Sequence, residues 1–160
     1  MTDNLTRGTF GRIALVICLA SFLGMAGARA GDLELRAQLI WGTDEARPKD
    51  NKVKDLDEGL RKKLCRVFKW KNYFEISEQK VTLSSNETKR IKMSDKCELE
   101  IHYIDDETIE VKFFGEKRLT KTIRQPIKAL RQGELGVIGG DDKEKYYDAW
   151  FVVLSSPNRD

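Results

Sequence analysis

Histidine, proline and cysteine are scarce in this chain: one, three and three residues among 160. A single histidine, His102, excludes the paired-histidine helix of a zinc protease. There is no G-x-S-x-G elbow, no Cys–His spacing and no G-x-G-x-x-G fingerprint. The glycines at 133, 136, 139 and 140 sit in no βαβ pattern and read as turn or bulge residues. Asp105-Asp106-Glu107 and Asp141-Asp142 lack the alternating spacing that wraps a calcium ion and read as solvated turns. No metal site and no cofactor are expected. No internal repeat or low-complexity linker divides the chain.

Long apolar runs are also missing. The uncharged stretch from Ile13 to Ala28 falls short of the roughly 20 apolar residues that a membrane-crossing helix needs. Arg7 and Arg12 precede it, and Ala28-Arg29-Ala30 offers the small side chains of a cleavage site. Residues 1–30 are therefore expected to be a cleaved signal peptide. The mature chain, 31–160, is expected to be one β-rich domain, exported to the periplasm or beyond, with no transmembrane span. Cys18 follows Leu15-Val16-Ile17, which excludes a lipobox.

Cleavage changes the charge. It removes Arg7, Arg12 and Arg29 but only Asp3 among the acids, so totals of 29 basic and 26 acidic residues fall to a net charge of about +1. No global attraction to nucleic acid follows, and none is expected as a partner. Two cysteines remain, Cys65 and Cys97. In an exported chain they form either one disulfide, with a chain-entropy contribution of about 3–4 kcal/mol, or two separate buried thiols.

Periodicity then supplies the elements. Leu33, Leu35, Ala37, Leu39 and Trp41 alternate with polar residues as a half-buried strand does. A polar loop with Pro48 follows. Asp55 with Glu58 reads as a capping box, opening a helix near 55–69 whose apolar face is Leu56, Leu60, Leu64, Val67 and Phe68. After it the period returns to two. Phe74 and Ile76 mark one strand; Val81 and Leu83 mark another, or its continuation past a bulge. Short strands follow around Ile91, over 97–103, over 109–113 and over 119–123, with Pro126 as an interruption and a half-helix at 127–132. A final pair spans 135–138 and 149–154, with a turn at Gly139-Gly140-Asp141-Asp142. This spacing predicts a mainly β fold, α+β at the margin. It is an antiparallel sandwich or small barrel of about 7–8 short strands with one amphipathic helix.

The densest charge lies in "RKKLCRVFKWK", residues 61–71. Lys62, Lys63, Arg66 and Lys69, with Trp70 and Tyr73, form the candidate binding site, suited to an anionic partner. The same cations also complement the helix dipole at its carboxyl end, and Asp57–Arg61 and Glu58–Lys62 are favourable pairs one turn apart. Trp41 and Trp150 lie inside strand patterns and read as core; Trp70, Tyr146 and Tyr147 are better surface candidates. No catalytic residue is assigned.

The stretches "AQLIWGTDE", "FKWKNYFEI", "KCELEI" and "GELGVIGGDD" with "AWFVVL" together resemble a set of small, uncharacterised secreted proteins of Gram-negative bacteria. The likeness spans most of residues 33–154 and rests on apolar and aromatic spacing. It implies an envelope location and a β-rich fold, and it carries over no activity. The reading that follows is a non-catalytic binding domain whose partner is an envelope protein or an anionic glycan or lipid surface. Two alternatives stand beside it: a small hydrolase using His102 and nearby carboxylates, and a structural subunit pairing through the edge of its last strand, 149–154.

Overall fold

Leucine and charge alternate along the first strand, and each leucine from Leu33 to Leu39 is buried. The computed structural model describes residues 31–47, 53–141 and 148–157. The expected leader, the Pro48 loop, and Tyr146 and Tyr147 lie outside them. The elements run β1 (Leu33–Thr43), β2 (Lys54–Asp55), α1 (Glu58–Val67), β3 (Asn72–Leu83), β4 (Thr88–Lys92), β5 (Cys97–Asp105), β6 (Thr108–Gly115), β7 (Arg118–Pro126), α2 (Ile127–Arg131), β8 (Gly136–Asp141) and β9 (Ala149–Ser155).

These strands make two antiparallel sheets, ordered β2-β3-β1-β9-β8 and β4-β5-β6-β7. The fold is mainly β and forms a sandwich; neither sheet closes into a barrel. The main core lies between the sheets. Leu33, Leu35, Leu39, Val152 and Leu154 of the first sheet meet Leu99, Ile101, Tyr103, Ile109 and Val111 of the second. Ile127 and Leu130 of α2 seal this core. A second cluster sits on the other face of the five-stranded sheet. There Leu56, Leu60 and Leu64 cover Ile40, Tyr73, Phe151 and Val153. Each buried aliphatic side chain contributes roughly 1.5–3 kcal/mol.

Several expectations need correction. The described residues hold nine strands and two helices, because β2 is a two-residue bridge strand and the half-helix at 127–131 is regular. Pro126 does not interrupt β7; it ends the strand and caps α2. The 74–83 region is one strand continued past a bulge, the second of the two expected alternatives. Ile76 is the extra residue of a bulge, since Leu39 and Ile40 face Ser77 and Glu75. Gly139, Gly140 and Asp141 belong to β8 and pair with Phe151, Trp150 and Ala149, so the expected turn does not start at Gly139. The last strand is no edge: β9 lies between β1 and β8.

The helix starts later than its capping pattern suggests. Asp57, not Asp55, is the N-cap, and its carboxylate accepts the Leu60 amide at 2.9 Å. Asp55 is drawn into β2 by pairing with Phe74 and makes an exposed ion pair with Arg47 at 2.8 Å. Asp57→Ala should therefore cost about 1 kcal/mol, roughly 3–5 °C in Tm for a domain of this size. Asp55→Ala, which removes only a solvent-screened pair, should leave the melting midpoint nearly unchanged. Thermal melts followed by circular dichroism decide between the two caps.

Candidate functional site

α1 ends abruptly. Val67 is its last residue, and Phe68 is already extended at φ −115° and ψ 155°, although its amide still donates to the Leu64 carbonyl at 2.8 Å. The change of direction separates two neighbours expected on one face. Phe68 turns down onto the sheet, while Val67 is left 76% exposed.

The chain then crosses the end of the five-stranded sheet. The Trp70 ring lies on the backbone of Gly42, where a Cβ would come within 2.6 Å of it. Phe68 and Trp70 stack at 5.4 Å, and both reach Phe151, at 5.2 and 5.9 Å. The crossing is pinned at its far end. The Lys71 amide donates to Asp44 Oδ1 at 2.9 Å, and Asn72 Nδ2 donates to the Glu45 carbonyl at 2.7 Å.

The result is a shallow, open groove of about 500 Å³, lined by Cys65, Arg66, Val67, Phe68, Lys69 and Trp70. Its apolar wall is the exposed valine with two half-buried rings. Its cations are Arg66 and Lys69, neither of which has a carboxylate partner among the described residues.

The residues singled out in the sequence divide accordingly. Arg66, Lys69 and Trp70 line the groove. Lys62 pairs with Glu58 at 3.3 Å, and Lys63 Nζ donates to the Gly133 carbonyl at 2.9 Å, so both flank the groove on restraints of their own. Asp57 turns to the Leu60 amide instead of pairing with Arg61. Tyr73 is no surface residue. It is 3% exposed and meets Trp70 edge-on at 6.3 Å. Its hydroxyl makes no hydrogen bond of good geometry. Burial pushes its pKa up, with the Cys65 thiol adding to the effect and the Trp70 backbone opposing it. Cys65, Val67, Phe68 and the supporting Gly42 are not among the candidate site residues of the sequence, where Cys65 enters as a disulfide candidate and Val67 and Phe68 as part of the helix's apolar face. A glycine inside a strand pattern is the one signal of a close backbone approach.

The disulfide does not form. Cys65 and Cys97 are both free, the first exposed and the second buried. Cys97 belongs to the core between the sheets, whereas Cys65 rides on the helix outside the five-stranded sheet. The sheet stands between them and keeps them beyond disulfide reach. Burial first, and Glu98 second, push the Cys97 thiol up to about 11.

Other candidates disperse. His102 stands mid-strand on the outer face of the four-stranded sheet, across from Thr88 and Glu110. Asp105 Oδ1 accepts the Glu107 and Thr108 amides at 3.0 and 2.8 Å and so closes the hairpin turn. Asp106 faces the Tyr103 hydroxyl at 3.4 Å. Among the described residues no cluster of three histidine, cysteine or acidic side chains is arranged to hold a metal, and no helix is long and apolar enough to cross a membrane. Trp41 and Trp150 are not core residues as expected. They stack on each other at 5.7 Å beside Phe74, and Trp150 is 37% exposed.

Two measurements check this geometry. Gly42→Ala should displace Trp70 and cost about 1–3 kcal/mol through overpacking, with a change in tryptophan emission. In the folded chain a thiol reagent should modify Cys65 quickly. Cys97 should react at least about tenfold more slowly, because it is buried and that burial pushes its thiol up to about 11. Equal rates would contradict the placement of Cys97.

The chain matches no protein-family model, no curated protein and no solved structure.

Proposed function

We propose that this protein is an exported, non-catalytic domain that works by binding, and that its capture site is the groove at the carboxyl end of α1. The observation that carries the reading is the coincidence of an unburied apolar residue, Val67, with the unpaired cations Arg66 and Lys69. A solvated helix end needs cations for its dipole but has no use for an exposed valine beside stacked aromatic rings. The leader pattern in residues 1–30 supports export.

The hydrolase alternative draws no support from the surroundings of His102. Asp105 is committed to turn amides, and the face around the imidazole is occupied by ion pairs. The structural-subunit alternative loses its proposed edge, since β9 is interior. The remaining long edge, β7, is blunted by Arg118, Lys121, Arg124 and a terminal proline.

The test is capture of envelope components by the immobilised exported chain. Arg66→Glu with Lys69→Glu should reduce capture at least about tenfold at low salt, where charge is least screened. Equal capture by the wild type and this double variant would remove the groove as the site. Both side chains are exposed, so the variant should stay folded and lose no more than about 0.3–1 kcal/mol, the cost of a reversed charge at a helix end.

A further inference from the structure

The groove differs from a protein-binding pocket in one respect: its most exposed apolar atoms project outward. Val67 stands 76% exposed at the last helical position, and the depression beside it is shallow and open. A recess receives a partner's side chain, whereas a projection must itself be received. Around the projection, residues 61–71 carry Arg61, Lys62, Lys63, Arg66, Lys69 and Lys71 with no acid among them. Phe68 and Trp70 stand half-buried just behind the valine. One ring is an indole, whose apolar body and polar N–H suit the boundary between water and hydrocarbon.

We infer that the occupant of this site is an anionic lipid surface, into which Val67 inserts with Trp70 at headgroup depth while Arg66 and Lys69 meet the phosphates. The inference rests on the reading of the groove as the binding site and deepens it.

Area favours a lipid over a folded protein. A stable protein partner needs roughly 800 Å² on each side with a well-packed apolar centre. Here the exposed apolar centre is one valine with the edges of two rings, far short of that. A bilayer asks for less, because headgroups and chains rearrange around a small insertion and each nearby cation adds attraction. The rest of the surface offers less. On the outer face of the four-stranded sheet, Arg90, Lys112 and Arg124 are each matched to a glutamate within 3.1 Å. Leu119, 55% exposed on the edge strand β7, has Arg118 and Lys121 in the same strand, but that strand holds no tryptophan to seat at headgroup depth.

The experiment uses the chain as the cell exports it, its amino terminus read by mass spectrometry, in flotation with two kinds of vesicle. One kind is phosphatidylglycerol and phosphatidylcholine in equal parts; the other is phosphatidylcholine alone. At about 50 mM salt the wild type should bind the anionic vesicles roughly tenfold better than the neutral ones. Val67→Asp should lose roughly fivefold or more of that binding, and Val67→Leu should keep it. Both changes are at an exposed position, so thermal melts should not move. Arg66→Glu with Lys69→Glu should abolish the preference for anionic vesicles.

Equal binding to both vesicle types, binding to neither, or Val67→Asp binding like the wild type would overturn the inference. If vesicles are ignored while the charge variant still loses envelope capture, the lipid occupant falls and the binding-site reading survives, with an acidic protein segment as the partner. If envelope capture is also indifferent to Arg66 and Lys69, the site itself falls.

Discussion

Strand β1 has to bury two faces at once. Leu33, Leu35, Ala37 and Leu39 point into the space between the sheets, while Ile40 points the other way and Gln38 beside it is buried too. A sheet whose central strand is apolar on both sides cannot stand with one face in water. The four-stranded sheet covers one face and α1 covers the other. A buried polar pair on the helix side is satisfied locally: Gln38 Nε2 donates to Glu75 Oε2 at 2.6 Å across the β1–β3 pair. Glu75 reaches that position because the bulge at Ile76 shifts β3 by one residue. Without that shift the carboxylate would be directed into the leucine core.

The covering helix is shorter than the surface it protects. Leu60 and Leu64 are one turn apart and both buried, but the next residue in that row, Phe68, is extended and no longer helical. Phe68 and Trp70 fill the remaining area as a strap instead of another helical turn. The strap lies flat only because Gly42 has no side chain beneath it. Val67 is the residue left over: the helix stops before its neighbours can bend it inward, and the strap leaves on the other side. The exposed apolar point and the aromatic wall behind it thus arise from one geometric mismatch between helix length and sheet length.

Much of this architecture was legible from spacing. The alternation in β1, β5 and β6 is regular because each has one face in the core and one in water, so period and burial coincide. The hairpin turns at Ser84–Asn86 and Asp105–Glu107 announced themselves by residues that take positive φ or bind their own backbone, as Asn86 does at φ 63° and Asp105 through its carboxylate. What was not legible depended on partners distant in sequence. Asp55 and Asp57 are equally good caps locally, and only pairing with β3 takes Asp55 out of contention. Gly139 and Gly140 look like a turn until β9 lies beside them. The fates of Val67 and Phe68, adjacent on a helical wheel, part where a strap that must cross Gly42 ends the helix. Cys65 and Cys97 have a spacing that permits a bridge, and the sheet between them forbids it.

The contrast between the molecule's two outer surfaces bears on what it does. On the four-stranded sheet, cations and glutamates alternate across strands: Arg90 with Glu98, Lys112 with Glu100 and Glu110, Arg124 with Glu110, and Arg90 again over the Phe114 ring at 4.4 Å. Each exposed pair contributes little stability, but together they cancel the field of that face. At the end of α1 the charges are not cancelled, because the acids that balance them sit a full helix away at Asp57 and Glu58. Besides the cations, the groups there include the Cys65 thiol, the Asp44 carboxylate that holds the Lys71 amide, and the Tyr73 hydroxyl. The last is buried beneath Trp70 with its pKa pushed up and so remains neutral. Such a site offers apolar contact and positive charge. These are the two features, an exposed apolar residue and nearby cations, that the proposed binding uses.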